Sequence, residues 1–351
     1  MKLTTCFLLL CLNAVFSNCW SRDAAPTTRL NVLQLNIWHE GTIVKGGFEA
    51  IADEIVHVDA DIVFFSEVRN YNHTKFILRI IEALAKRGKT YYGEHNPLDV
   101  GILSKYRIEH QEVIYPQEVG YGSILKAYCH INGHPASIYS AHLDYKNYAC
   151  YLPRGYDGAT WQKLDKPIVN PDSILTANRI ANREEAIEIF LNNAQEDLSK
   201  GNIILLGGDF NEPSHLDWQK DTRYLWDHNG AVVNWDCSRM LYQKGFKDAY
   251  RIIHPNPVTH PGFTFPSDNR DSPVDKLSWA PDADERDRID FIYYYPSKKI
   301  KPSAATIVGP STSIVRNQRV KENGKDHFIS PKGIWPSDHK GLLITFHIRN
   351  I

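Results

Sequence analysis

The 351-residue chain reads as an α/β protein with two β-sheets and helices outside them. Two observations predict this class. Short apolar segments of strand length fall in near-equal number before and after a long helical segment in mid-chain, the pattern of sheets covered by helices. Between them, apolar residues recur at helical spacing. The composition of 42% hydrophobic and 23% charged residues suits a sizeable packed core, and no repeat appears at solenoid periods.

Taken in order, Leu30 to Ile37 reads as a strand, and Phe48, Ile51, Ala52, Ile55 and Val56 give Phe48 to Val58 the spacing of a helix. The uninterrupted apolar run Ile62-Val63-Phe64-Phe65 predicts a strand buried on both faces. Thr74 to Lys86 is helical again. Strands are expected at Val100 to Leu103, Ser123 to Ile131 and Ala136 to His142, then a long helix from about Leu175 to Leu198 and a strand at Asn202 to Leu206. The pair Asn132-Gly133 is a hairpin turn that sets Ile131 opposite His134 and Cys129 opposite Ala136. The Pro-rich second half holds late strands at Ile289 to Tyr294 and Gly341 to His347. No linker divides this chain, so residues 30–351 are expected to form a single domain. Tyr145 to Pro171 is the longest stretch without periodicity, a length that in compact domains is usually functional or disordered.

At the N-terminus, Met1-Lys2 precedes an apolar run from Leu3 to Phe16 and a polar stretch from Ser17. This is the pattern of a secretory signal peptide over about residues 1–19, with Val15 and Ser17 as the small residues before the cut. The run falls short of the ~20 apolar residues of a membrane-spanning helix. A secreted, periplasmic or extracellular protein is expected, with lipid attachment at Cys19 as the minority alternative. Removing the leader leaves Cys129, Cys150 and Cys237, with or without Cys19 depending on the cut, an awkward count for a disulfide framework. Asn72-His73-Thr74 is the one N-glycosylation sequon. The net charge is −1 and no run of five Lys/Arg occurs, so no strongly basic surface announces nucleic acid or an anionic membrane. A bound metal could supply the positive charge that a phosphate needs.

Six short stretches place polar residues at strand ends. They are Leu35-Asn36-Ile37, Phe65-Ser66-Glu67, Ser140-Ala141-His142-Leu143, Gly207-Gly208-Asp209-Phe210-Asn211, Arg288-Ile289-Asp290-Phe291 and Pro336-Ser337-Asp338-His339. In extended backbone, residues two apart share a side, so Asp209 and Asn211 face one site while Phe210 packs away. Gly207 and Gly208 permit close backbone approach. Singly, each carboxylate is more often a cap or turn residue and each lone His a satisfied surface or core residue. The ordered set is what points to chemistry.

That set resembles the endonuclease/exonuclease/phosphatase superfamily, the DNase-I-like group, from about Leu30 to the C-terminus. Gly208-Asp209-Phe210-Asn211 and Ser337-Asp338-His339 are its most specific pieces. The resemblance implies a four-layer α/β sandwich with two central mixed β-sheets flanked by helices. It also implies a metal shell of Glu67, Asn36 and Asp338, with Mg²⁺ or Mn²⁺ as the cofactor. Asp209 would orient or deprotonate the attacking water, and Asn211 would hold that water or a phosphate oxygen. His339, paired with Asp290, resembles the general base or transition-state contact, and His142 would serve the opposite side of the phosphate. The chemistry needs these types independently, since hard carboxylate oxygens suit Mg²⁺ and an Asp-oriented His suits acid/base work near neutral pH.

Departures narrow the branch. His142 stands where the exonuclease III branch carries a Tyr, and Leu205-Leu206-Gly207 and Asp287-Arg288-Ile289-Asp290 stand where 5-phosphatases have Trp-containing motifs. On the substrate side, the insert after His142 supplies Tyr145, Tyr148, Tyr151, Tyr156, Trp161 and Arg154, which could stack on or contact a ligand or simply pack on themselves. The Thr259 to Pro266 stretch, with His260 and Phe263, resembles a loop bordering the site in relatives. His39 and Lys126 are weaker candidates. The leading expectation is a secreted phosphodiesterase acting, as a monomer without an obligate protein partner, on nucleic acid or a phospholipid headgroup. A phosphomonoesterase on sugar or inositol phosphates and a non-enzymatic binding protein are the alternatives.

Overall fold

Side-chain alternation along the first two strands decides the layering. Strand β1 (Thr27–Asn36) pairs in parallel with β2 (Ile62–Ser66), and both are buried along their paired lengths. Val32, Ile62 and Phe64 point one way into the largest core cluster, while Leu33, Leu35, Val63 and Phe65 point the other way. On that second face they meet Ile51 and Ile55 of helix α1 (Gly47–His57) and Phe76 and Ile80 of α2 (Phe76–Lys86). A strand between two apolar layers cannot alternate with polar residues, which is why Ile62 to Phe65 is continuously apolar.

The computed structural model describes residues 26–116 and 122–351. The expected leader and Cys19 lie outside these residues. After α2 come β3 (Val100–Ser104), β4 (Ile108–Tyr115), β5 (Ser123–Ile131), β6 (His134–His142), helices α3 (Pro171–Asn178) and α4 (Arg183–Ser199), and β7 (Ile203–Asp209). Helix α5 (Asp236–Gln243), β8 (Lys247–Asp248), α6 (Ala249–Ile253), β9 (Asp290–Tyr294), β10 (Ile300–Val308), β11 (Thr312–Val315), β12 (Gln318–Lys321), β13 (Phe328–Ile329) and β14 (Gly341–Arg349) complete the order.

Two six-stranded mixed sheets result, ordered β13-β10-β14-β1-β2-β3 and β4-β5-β6-β7-β9-β8. Their facing sides share one core, in which Val32, Phe64 and Ile102 of the first sheet meet Leu125, Ile138 and Leu205 of the second. The outer side of the second sheet buries Tyr139, Leu206 and Phe291 against Ala186, Phe190 and Leu241 of α4 and α5. This is the four-layer α/β sandwich. Gly207 sits where the sheets approach: a Cβ there would lie 2.1 Å from Cδ2 of Phe64. At Gly208 a Cβ would lie 2.3 Å from the Ala141 carbonyl.

The hairpin has the expected register, Ile131 opposite His134 and Cys129 opposite Ala136. The expected long helix is two. Helix α3 ends at Asn178 and α4 begins at Arg183, whose buried guanidinium donates to the carbonyls of Asp144, Lys146 and Asn147 and to Asn178 Oδ1. That break lets one side chain anchor the start of the insert. Strand β4 lacks an apolar signature because it is largely exposed and carries two register irregularities. Strand β10 contains Pro302 at an irregularity. Cys129, Cys150 and Cys237 are buried free thiols. Among the described residues, no helix is long and apolar enough to cross a membrane.

Candidate active site

The ends of four strands and the starts of two converge on one cavity of about 650 Å³. Asn36 ends β1 beside Ser66 at the end of β2, so Glu67 lies one residue past the first sheet. In the second sheet His142, Asp209 and Asp290 are in register across β6, β7 and β9, so Asp209 is flanked by the other two. Asp338 and His339 precede β14. Glu67 and Asn211 both hold left-handed backbone, at φ 69° and 51°, conformations that cost energy for residues with a Cβ and persist at functional sites.

Hydrogen bonds lock these side chains. His339 Nδ1 lies 2.9 Å from Asp290 Oδ2, and its Nε2 is left toward Asp209, 3.8 Å away. Gln34 donates to the second Asp290 oxygen at 3.4 Å. On the other flank His142 Nδ1 lies 2.8 Å from Asp99 Oδ2, and its Nε2 lies 3.8 Å from Asp209. Asn36 Nδ2 donates to Glu67 at 3.1 Å and to Asp209 at 2.9 Å. Ser337 Oγ donates to the Asn36 carbonyl and accepts the His339 amide, tying the last motif to the first. Asn211 donates its backbone N–H to Asp209 Oδ1 and its side-chain amide to the Leu143 carbonyl.

The charges follow from this arrangement. Burial alone would lower the His339 imidazole, but the Asp290 and Asp209 charges and the Asp290 hydrogen bond outweigh it and push the pKa up to about 10. For His142 burial is likewise overcome, by Asp99 first, and the pKa rises to about 9. Burial raises Asp338 to about 7, with Glu67 adding repulsion and His339 opposing. Burial also raises Asp209, with Asp290 next in effect. Glu67 is lowered despite its burial, because His142, Arg69, His39 and His339 surround it.

A hard divalent cation fits this donor set. Asp338 Oδ1 is buried without a hydrogen-bond partner among the described residues, and its carboxyl feels the charge of Glu67. Asn36 differs from the expected ligand role: its oxygen accepts the Trp38 N–H at 2.9 Å while its nitrogen faces the carboxylates. It orients Glu67 and Asp209. Asp209, Asp290 and His339 also bring ligand atoms within 4.8 Å of one another. There the Asp290 hydrogen bond occupies His339 Nδ1, the arrangement of an acid/base dyad.

Tyr145, Tyr148 and His39 line the cavity as expected, with Tyr151 and Trp161. Four expected residues are elsewhere. Lys126 faces away from the site, paired at 2.7 Å with Asp197 of α4, because the alternation of β5 puts it on the outer face. Arg154 is buried under the insert on Asp287 and the carbonyls of Cys150, Asp284 and Arg286. His260 stacks on His254 at 4.4 Å. Phe263 packs edge-on to Trp226 and under Arg286, and its neighbour in the same loop, Phe265, reaches the cavity 4.9 Å from His339. Absent from the expected set are Asp99, Arg69, Tyr71, Trp38 and Trp279. Arg69 bonds Asp99 at 3.0 Å and lies 3.6 Å from Glu67. Tyr71 contacts His39 Nδ1 at 2.8 Å, and Trp279 stacks on Trp161 at 5.0 Å. Asp99 and Arg69 carried signals, an acid at a strand start and a cation two residues past Glu67. Nothing in the sequence named their partners.

This cavity, at the meeting edges of two sheets and built from carboxylates, imidazoles and carboxamides, is that of a phosphoester hydrolase. The chain belongs to the Endonuclease/Exonuclease/phosphatase family, whose profile matches residues 33–339. It is 27% identical over 292 residues to an uncharacterised protein of Caenorhabditis elegans, covering 82% of this chain and 84% of that one. Among solved structures it is similar in fold to truncated Caenorhabditis elegans TDP2, at TM-score 0.50 and 20% identity over 91% of this chain and 97% of that one. It is also similar to D. rerio TDP2 complexed with a single-strand DNA product, at TM-score 0.50 and 15% identity over 91% and 99%. A family protein from Leptotrichia buccalis gives 0.50 and 16% over 90% and 98%.

Proposed function

We propose that the chain is a secreted, Mg²⁺- or Mn²⁺-dependent phosphodiesterase that hydrolyses its substrate by in-line attack of water. The observation that carries this is the pair of carboxylate-held imidazoles, His339 on Asp290 and His142 on Asp99, flanking Asp209 in one cavity. Glu67 and Asp338 would hold the metal, which when bound supplies positive charge to the phosphoryl and leaving oxygens. Asp209, positioned by Asn36, orients the attacking water and takes its proton. His339 and His142, both carrying two N–H groups near neutral pH, donate to phosphoryl oxygens as charge builds there. His339 thus serves as the transition-state contact, with Asp209 as the base.

A diester is favoured over a monoester because the cavity has, beside the reacting centre, an aromatic wall that a second substituent could occupy. The aromatic wall of Tyr145, Tyr148, Tyr151, Trp161 and Trp279 gives the second substituent a stacking surface, and Trp279 remains half exposed. The D. rerio structure with single-strand DNA product supports nucleic acid as the first substrate to test. A phospholipid headgroup is the second. The test is a panel of plasmid DNA, RNA, sphingomyelin and inositol phosphates, beside p-nitrophenyl diester and monoester. Preference for the monoester or for inositol phosphates would replace this reading with a phosphatase. Export rests on the leader pattern of residues 1–19 and is checked by recovering the shortened chain from the medium of expressing cells.

A further inference from the structure

The insert after β6 sends one polar atom into the centre of the site. The Tyr148 hydroxyl donates to Asn211 Oδ1, and Tyr148 lines the cavity beside His142, Asp209 and Asn211. The orientation of the Asn211 amide is set by its other end, because the Leu143 carbonyl can only accept and so takes the Nδ2 group at 2.9 Å. Oδ1 must therefore face the phenol. At this point of the cavity the carboxamide presents an acceptor, which cannot hold a phosphoryl oxygen, itself an acceptor. The proton available there belongs to Tyr148.

We propose that Tyr148 is a catalytic residue for the reaction assigned above, on which this inference rests: its O–H turns from Asn211 Oδ1 to a phosphoryl oxygen of the bound diester. A charged phosphoryl oxygen makes a stronger acceptor than a carboxamide oxygen, so the exchange replaces a neutral hydrogen bond with a charge-assisted one. Only the hydroxyl hydrogen has to turn. The ring is fixed by Tyr151 at 6.0 Å and Trp161 at 5.5 Å, and the Tyr148 N–H donates to the Gly158 carbonyl at 3.0 Å. Gly158 is what allows the chain to cross here, since a Cβ on it would lie 2.0 Å from the Tyr148 carbonyl oxygen. Burial, with the Asp209 charge adding to it, keeps the phenol protonated. With His339 and His142, Tyr148 completes a set of donors around the transferred group, one of them supplied by the insert.

The test is Tyr148→Phe, which keeps the ring and removes one oxygen, assayed on bis(p-nitrophenyl) phosphate with Mg²⁺ or Mn²⁺. This small diester isolates the reaction centre from binding of a larger substrate. The expected result is a fall in kcat of about 10²-fold, the scale of a lost oxyanion donor, with KM changed little. The same factor is expected in an Asn211→Ala background, and inhibition by orthovanadate should weaken in parallel. Wild-type kcat in Tyr148→Phe, with diester activity intact, overturns the proposal alone. So does an effect that vanishes in the Asn211→Ala background, which would make Tyr148 a positioning residue for Asn211. A wild-type protein inactive on every diester overturns the phosphodiesterase reading, and the proposal with it.

Discussion

Asp99 lies behind His142, away from any direct part in the reaction, and replacing it with Asn should move the pH profile of the enzyme. In the native protein burial would lower the imidazole, yet Asp99 and the more distant Asp209 and Glu67 hold it up to about 9. At about pH 7.5 such a group is ~97% protonated, whereas an imidazole at its ordinary 6.5 is ~9% protonated. Asn keeps the shape and removes the charge that contributes most, so His142 returns toward its ordinary value and loses most of its positive charge at neutral pH. The alkaline limb of kcat/KM for the nitrophenyl diester should shift from near pH 9 down toward neutrality, with about a tenfold loss at pH 7.5 that narrows on acidification. Stability changes with it. Because the folded pKa is raised, the His142 contribution is complete below about pH 6.5 and fades as pH rises through 9, at most about 3 kcal/mol. Thermal melts of the metal-free protein should show the gap between native and Asp99→Asn forms narrowing as pH rises through 9, to what the lost Arg69 pair leaves. Superimposable pH–rate profiles would refute the reasoning.

Four other substitutions separate chemistry, packing and recognition. His339→Ala should lower turnover about 10²- to 10³-fold, the scale of a lost transition-state donor, and Asp290→Asn somewhat less, measured as kcat on the same diester. Lys126→Ala should cost about 3–5 kcal/mol in denaturant unfolding, because Asp197 is left buried and unpaired, while kcat of the folded fraction stays at the native value. Trp279→Ala should raise KM for a single-stranded polymer about tenfold, from ~1–3 kcal/mol per stacked base, and leave the small diester unchanged.

The parts of the site that were legible are those whose signal is local. Asp209 and Asn211 flank an apolar Phe210 after two glycines, and Phe64 explains why the first of those positions admits no Cβ. The two-sheet layering was legible because Ile62 to Phe65 is apolar on both faces. What the sequence left hidden are relations between distant segments. Asp99 is an unremarkable acid before β3 until the fold sets it 2.8 Å from His142. Lys126 looked available because its carboxylate partner lies 71 residues on, across a helix–sheet interface. The roles of His260 and Arg154 failed likewise, since a cation or ring in a loop near the site is equally suited to holding the loop together. Arg154 does that, and Tyr148 in the same insert reaches the chemistry.

If Glu67 and Asp338 hold a catalytic divalent metal for phosphodiester hydrolysis, turnover depends on that metal and fails without it. Turnover of bis(p-nitrophenyl) phosphate should vanish after exhaustive EDTA treatment and return on adding Mg²⁺ or Mn²⁺. Glu67→Ala should remain folded by circular dichroism, stay inactive at every metal concentration and lose the calorimetric binding of Mn²⁺ seen in the native protein. Undiminished turnover in the metal-stripped protein, or native metal binding by Glu67→Ala, would contradict the account.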